Sequence, residues 1–199
     1  MEKEFNRVVN QYKRNSNLWT DVVQAYTSKG RHYHTLVHLN HLITELKPFQ
    51  NQFTCWETLV FAIAYHDFVY KATVRDNEEQ SAKVAEARLT EINFLVLEIA
   101  RCKQFILVTK KHEPVNREID LFTDADLAIL GATPERYQQY TVEIRKEYSI
   151  YPDLLYKAGR KKVLQHFLKM NRIYKTIEFY ERYEQTARRN LQTELEKVA

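Results

Sequence analysis

The chain has 199 residues, of which 44% are apolar and 28% charged, and its formal net charge is +4. These values are typical of a globular domain and lack the concentrated basic stripe of a nucleic-acid-binding protein. Only three glycines and four prolines are present, which argues against a glycine-rich phosphate loop, a dinucleotide-binding turn or a hairpin-rich β fold. Two cysteines make no disulfide framework, the charged N-terminus is unlike a signal peptide, and no apolar run reaches the ~18 residues that span a bilayer. We therefore expect an all-α protein of the cytoplasm with no membrane partner, and the sequence gives no strong nucleic-acid signal.

Helical periodicity runs through almost the whole chain and leaves few residues for loops. Gly30 and Pro48 each follow a periodic segment and are expected to end a helix. Thr133 and the proline after it form a typical helix start, and Gly131 closes the short segment before them. The segment at 93–109 is rich in β-branched residues, which leaves a strand as the alternative to a buried helix. Helices are expected at about 4–14, 21–31, 33–46, 54–68, 77–91, 93–109, 124–131, 133–149, 153–170 and 172–198.

No linker, repeat or low-complexity tract divides the chain, so we expect one helical domain over residues 1–199. Its core is expected at about 26–131, and a C-terminal helical extension at about 132–199 contains the long closing helix. A helix of that length is also compatible with a homodimer. The buried face of this helix is expected to consist of Ile173, Ile177, Tyr180, Ala187 and Leu191.

The most apolar segment of the chain, Thr58–Tyr65, ends abruptly in His66 and Asp67. A buried carboxylate and a buried imidazole are costly unless each has a partner. This pair therefore indicates a compensating group, and a divalent cation is a plausible one.

Four of the seven histidines fall within ten residues, at His32, His34, His38 and His41. On one helix, the last three of them and Glu45 share a stripe roughly 60° wide, next to an apolar face. A polar helix face with capping histidines is the alternative. The density of imidazoles favours a metal site at the wall of a cavity, because histidines four residues apart can bind one ion together.

Two more elements offer candidate ligands. Asp124 stands where it would cap the helix expected at 124–131, whereas Asp126 needs no capping explanation and is the better ligand. His112 ends a long apolar segment, as His66 does. Imidazoles and carboxylates together make a mixed N/O site, which suits Mn²⁺, Fe²⁺, Co²⁺ or Ni²⁺, with Mg²⁺ and Zn²⁺ as alternatives.

A histidine, a His-Asp doublet about thirty residues later and an aspartate before a short helix resemble the HD-domain superfamily of metal-dependent phosphohydrolases. His34 lies 32 residues before His66 and fits the usual gap, while His38, 28 residues before it, is a close competitor. From about Tyr26 to Leu195 the chain is similar to a bacterial family of predicted metal-dependent HD phosphohydrolases. The motifs that carry this likeness are RHYHTLVHL, AYHDFVY, DNEEQSA, DADLAILG and the C-terminal series GRKKVLQHFL, IYKTIEF and ARRNLQTEL.

The resemblance implies a hydrolase that uses a metal-activated water on a phosphomonoester or phosphodiester, with a nucleotide among the candidate substrates. It implies a single HD-type helical domain with its metal-site core at about 26–131, and His34, His66, Asp67 and Asp126 as the metal ligands. Asp67 would also orient or deprotonate the attacking water.

Other residues near the motifs have open roles. His38 and His112 are alternates for a metal ligand or a second metal, for a phosphate contact, or for proton transfer to the leaving group. Glu78 is either a catalytic or supporting carboxylate or an ordinary acid of a first helical turn. The candidates for phosphate binding are Arg31, Lys71 and Lys110.

Other functions also fit the sequence. A catalytically silent HD module would bind a metal or a nucleotide without turnover. Di-iron or hydration chemistry on an HD fold would need two iron ions, to which His38 and His112 could contribute. A purely structural helical protein leaves the histidine cluster unexplained.

Overall fold

The computed structural model describes residues 1–12 and 17–198. All regular structure in these two ranges is helical, which confirms the predicted fold class. Residues 13–16, which include the end of the first predicted helix, lie outside the described part of the chain. Within that part, no helix combines the length and the apolar character needed to cross a bilayer.

Ten α-helices and two 3₁₀ helices form the described structure. The 3₁₀ helices are Lys47–Gln52, directly after the third α-helix, and Leu127–Gly131, directly after the seventh. The α-helices are α1 (Glu2–Val9), α2 (Leu18–Tyr26), α3 (Leu36–Leu46), α4 (Trp56–Tyr65), α5 (Asn77–Glu91), α6 (Val96–Val108), α7 (Arg117–Asp126), α8 (Pro134–Glu147), α9 (Asp153–Lys169) and α10 (Ile177–Val198).

The first of two compact units comprises Met1–Phe122 and is built around α4. Every residue of α4 except Glu57 is buried, because α1, α3, α5 and α6 all pack against it. This burial explains why the segment reads as the most apolar stretch of the sequence. The predicted single domain, with its core at 26–131, stays a prediction.

The second unit comprises Thr123–Ala199, and in it α10 packs against α9 and against the 3₁₀ helix Leu127–Gly131. A side chain at Gly131 would place its Cβ only 2.6 Å from the Cβ of Tyr183 on α10. Glycine is therefore required here by close packing, in addition to ending the helix as the sequence predicts.

Asp124 does not cap a short helix of its own, as the sequence analysis expected, because it lies inside α7. Its fully buried carboxylate instead accepts hydrogen bonds from the backbone N–H groups of Lys175 and Thr176, at 2.9 and 2.7 Å, just before α10 begins. The Nζ atom of Lys175 also lies 3.0 Å from this carboxylate. Asp124 thus holds the backbone that leads into α10 and places a negative charge next to the N-terminus of that helix.

The predicted core face of the closing helix is partly wrong. Ile177 is 51% exposed and Tyr180 is 36% exposed, whereas Ile173 is fully buried as expected but precedes the helix. The helix begins about five residues later than expected, so Ile173 does not belong to it. The apolar residues that α10 does bury are Phe179, Tyr183, Ala187 and Leu191.

Candidate metal centre

The local structure of the first unit brings two separate segments of the sequence together. His38 lies on α3, whereas His34 lies in the turn before it, because the side chain of Thr35 accepts a hydrogen bond from the N–H of Val37 and starts the helix there. The expectation that His34 belongs to the helical stripe is therefore wrong. His66 is the residue that caps the C-terminus of α4, and Asp67 follows it.

Three imidazole nitrogens surround one carboxylate oxygen of Asp67. The Nε2 atoms of His66, His38 and His34 lie 2.9, 3.8 and 3.9 Å from Asp67 Oδ2. The Nε2 atoms of His38 and His66 are themselves 3.1 Å apart. Among residues 1–12 and 17–198, the ligand atoms of His38, His66 and Asp67 form a set in which all lie within 4.8 Å of one another.

One hydrogen bond of His66 indicates which of its two ring nitrogens carries the proton. Its Nδ1 atom lies 2.9 Å from the carbonyl oxygen of Ile63, which can only accept, so Nδ1 carries the proton. In a neutral ring, Nε2 then presents a lone pair to the Asp67 carboxylate. Such a contact at 2.9 Å is favourable only if a proton or a cation lies between the two groups.

The spacing of the donors fits a single metal ion. Two ligand atoms that are each about 2.1 Å from one ion lie about 3 Å apart when they are neighbours in its coordination shell. The His38–His66 and His66–Asp67 separations, 3.1 and 2.9 Å, match that value. The 3.8 Å separation of His38 from Asp67 also fits one coordination shell, whereas His34 lies 3.9 Å from Asp67 but outside the set whose ligand atoms all lie within 4.8 Å of one another.

The four side chains of the cluster differ in their exposure to solvent. The side chains of His66 and His38 are 1% and 3% exposed, whereas those of His34 and Asp67 are 17% and 19% exposed. An imidazole and a carboxylate therefore form the more exposed side of the cluster.

The surrounding aromatic residues hold the ligand-bearing segments. The backbone N–H of Asp67 donates to the hydroxyl of Tyr26, 3.2 Å away, and Tyr26 is fully buried. The ring of Tyr70 packs 4.0 Å from the imidazole of His34. These contacts involve residues that the sequence analysis did not select, and a lone tyrosine at the end of α2 gives little signal of such a role.

The structure does not bring every predicted residue into this cluster. Asp126 ends α7 and belongs to the second unit, so its role as a ligand stays a prediction. His41 is on α3 but points elsewhere, since its Nε2 lies 3.9 Å from Glu45 Oε1 and its side chain is 48% exposed. His32 is exposed. Of the histidines in the predicted stripe, only His38 joins the cluster from α3 itself.

The remaining candidates lie on other segments of the first unit. His112 has a positive φ of 54° after α6, and its N–H bonds to the carbonyl of Val108, as at a helix C-terminus. Glu78 is in the first turn of α5. Lys71 is exposed, and the side chain of Lys110 pairs with Glu79. The catalytic and phosphate-binding roles of these four residues stay predictions.

Compared with family models, with curated proteins and with solved structures, the chain gives no match. Its function is therefore inferred from the side-chain chemistry of the cluster and from the sequence motifs that contain it.

Proposed function

We propose that the chain is a metal-dependent phosphohydrolase that hydrolyses a small phosphomonoester or phosphodiester, with a nucleotide among its candidate substrates. The observation that carries the proposal is the convergence of three imidazole Nε2 atoms on Asp67 Oδ2. In this proposal His34, His38, His66 and Asp67 hold a divalent cation, and Asp126 remains a candidate further ligand. The resemblance to HD phosphohydrolases supports the same assignment, because two of its motifs contain all four residues.

The donor set favours certain metals. Three imidazoles and one carboxylate suit Mn²⁺, Fe²⁺, Co²⁺, Ni²⁺ and Zn²⁺ better than Mg²⁺, which prefers oxygen ligands and bound water. A divalent ion in this position lowers the pKa of bound water and offsets negative charge on phosphoryl oxygens.

The residues of the chain supply orientation and proton transfer. The hydrogen bond from His66 Nδ1 to Ile63 fixes the ring, so that its Nε2 is presented in one direction. Asp67 has two carboxylate oxygens, and while Oδ2 faces the imidazoles the other can accept a proton from the attacking water. The buried position of His38 suits a ligand, which leaves His112 and Glu78 as candidates for protonating the leaving group.

A reducing cytoplasmic location is part of the same proposal. Cys55 and Cys102 are both free thiols, and burial raises the pKa of the Cys102 thiol well above its ordinary value. Such an inert, buried thiol is typical of a protein without disulfides.

The experiment is a phosphoester assay on metal-free protein reloaded with each divalent ion in turn. We would follow nitrophenol release from bis(p-nitrophenyl) phosphate and phosphate release from nucleoside monophosphates. Asp67→Asn is expected to lower the rate by on the order of 10²-fold or more, since it removes a base and a ligand charge. His41→Ala, which removes an imidazole of α3 outside the cluster, is the control and should keep the wild-type rate.

Two results would contradict the proposal. One is equal phosphoester hydrolysis by the wild type and Asp67→Asn, which would place the activity outside this cluster. The other is a wild type that retains its metal but turns over none of the phosphoesters, which would favour a non-catalytic module that binds a metal or a nucleotide.

A further inference from the structure

Arg31 connects the two segments that carry the histidine and aspartate ligands. Its NH1 group donates to the carbonyl of His34, at 3.1 Å, and its NH2 group donates to the carbonyl of Phe68, at 2.8 Å. Phe68 directly follows Asp67. One guanidinium group therefore holds the backbone of one candidate ligand and the backbone next to another, although 33 positions separate His34 from Asp67 in the sequence.

Aromatic rings flank the same guanidinium. Its central carbon lies 4.6 Å from the ring centroid of Tyr26 and 5.6 Å from that of Tyr70. Tyr26 accepts a hydrogen bond from the N–H of Asp67, and Tyr70 packs against the imidazole of His34. Each ring that contacts Arg31 thus also contacts one of the ligand residues.

The chemistry of these contacts requires an arginine. Its planar fork donates from two nitrogens to two carbonyl groups while its faces pack on aromatic rings, which a lysine ammonium cannot reproduce. The Nε atom is buried and makes no hydrogen bond, a cost that the other contacts must offset.

We propose that Arg31 is a positioning residue, which sets the distance between His34 and Asp67 and so tunes metal affinity and coordination geometry. This role rests on the proposed metal centre. It differs from the phosphate contact predicted from the sequence, in which Arg31 would bind the substrate and leave the metal unaffected.

The test measures Co²⁺ binding to the full chain in the absence of any phosphate. Arg31→Ala is expected to weaken Co²⁺ binding by about 10- to 100-fold, the range typical of residues that orient metal ligands. Its visible Co²⁺ spectrum should change as well, because the coordination geometry relaxes. Guanidinium ions at a concentration far below denaturing levels should restore part of the affinity, whereas ammonium ions should not.

Two further variants make the test specific. Lys29→Ala removes a nearby exposed cation and should leave the affinity and the spectrum unchanged. Tyr70→Leu keeps Arg31 but removes the ring that touches both Arg31 and His34, and it should weaken Co²⁺ binding in the same direction. Circular dichroism would confirm that each variant keeps its helical content.

An Arg31→Ala protein that binds Co²⁺ with wild-type affinity and spectrum would overturn the positioning role. If that variant lost only its binding of inorganic phosphate, Arg31 would instead be the substrate contact. A wild type that binds no Co²⁺ would overturn the metal centre itself, a failure that the first titration reveals before any variant is compared.

Discussion

Asp67 shows why a titratable pair follows the most apolar helix of the chain. Its carboxylate faces three imidazole nitrogens, and its backbone N–H bonds to a buried tyrosine hydroxyl. The preceding His66 donates from Nδ1 to Ile63 one turn earlier in the helix, so the helix end itself orients the ring. The cost of burying these groups is offset by partners within the first unit and, in our proposal, by a cation.

His34 and His38 are expected to contribute unequally. His38 is almost completely buried, with its Nε2 3.1 Å from that of His66, whereas His34 lies at the accessible edge. We predict that His38→Ala weakens Mn²⁺ binding by about 100-fold or more, and His34→Ala by about 10-fold. Calorimetric titration of metal-free protein measures both, with His41→Ala as the control.

The opposite order would contradict this ranking. If His34→Ala had the larger effect, His34 would be the primary ligand, as its spacing from His66 in the sequence suggests.

Sequence reasoning identified most of this cluster but could not rank its histidines. His66 and Asp67 stand out because polar groups end an apolar run. The choice between His34 and His38 depends on where α3 begins, and the cap by Thr35 places His34 just outside it. Arg31 was selected as a cation near the motif, but the carbonyl groups that it binds give no sequence signal.

Among the helices, α1 is attached to the first unit through Glu4. The carboxylate accepts hydrogen bonds from Arg7 at 2.8 Å, from Trp56 of α4 at 2.7 Å and from Lys47 at 3.2 Å. Burial raises the pKa of Glu4, but these three hydrogen bonds outweigh it and lower the pKa from 4.5 to about 2.

This lowered pKa predicts a pH-dependent contribution to stability. A carboxyl group whose pKa is lower in the folded state stabilises the fold above its unfolded pKa, and the stabilisation is lost as the pH falls from about 4.5 to about 2. Glu4→Gln should therefore lower the free energy of unfolding by about 1 kcal/mol at neutral pH, since the pairs are partly screened by solvent. Urea denaturation at a series of pH values measures it. A difference between the two proteins that did not shrink in acid would contradict the assignment.

Helices α8, α9 and α10 are joined by three buried polar side chains, one from each helix. Arg160 donates to both carboxylate oxygens of Glu194, at 2.7 and 2.9 Å, and the hydroxyl of Tyr137 donates to the same carboxylate at 2.5 Å. All three residues are buried, and burial raises the pKa of the tyrosine far above its ordinary value.

Removing one charge from the Arg160–Glu194 pair should lower the free energy of unfolding more than removing both charges does. We predict that Arg160→Met lowers the free energy of unfolding by about 3–5 kcal/mol, because it leaves Glu194 buried without its partner. Adding Glu194→Gln should recover about 2 kcal/mol, since the amide still accepts from Tyr137 but carries no charge. Chemical denaturation of the two variants tests this, and equal stabilities would show that the pair is not coupled.

The helices that could be predicted well are those with local signals. The sequence range of α5 matches its observed bounds, and the cap by Thr133 starts α8 as expected. By contrast, only the last three residues of α7 fell within a predicted helix. Its start was missed, although the side chain of Asn116 caps it by accepting a hydrogen bond from the N–H of Ile119. The buried face of α10 was predicted only in part, namely at Ala187 and Leu191. The backbone just before this helix is held by Asp124, a partner distant in sequence, which gives no local signal of where the helix begins.

The chain as a whole comprises two compact units, and the candidate ligands His34, His38, His66 and Asp67 all belong to the first. Composition and periodicity were sufficient to predict an all-α protein, because helical repeats and scarce glycine leave few other folds. The substrate and the homodimer stay predictions, since neither leaves a pattern that a single sequence reveals.

The deciding measurement is the metal content of the purified protein by plasma mass spectrometry, for the wild type, for His66→Ala combined with Asp67→Ala, and for His41→Ala. We predict about one divalent ion per chain in the wild type and in His41→Ala, following the one cluster of ligands found within residues 1–12 and 17–198, and close to none in the double variant. A wild type that holds no divalent ion, even after reconstitution with Mn²⁺, Fe²⁺ or Ni²⁺, would contradict the metal centre, as would a double variant that keeps its metal.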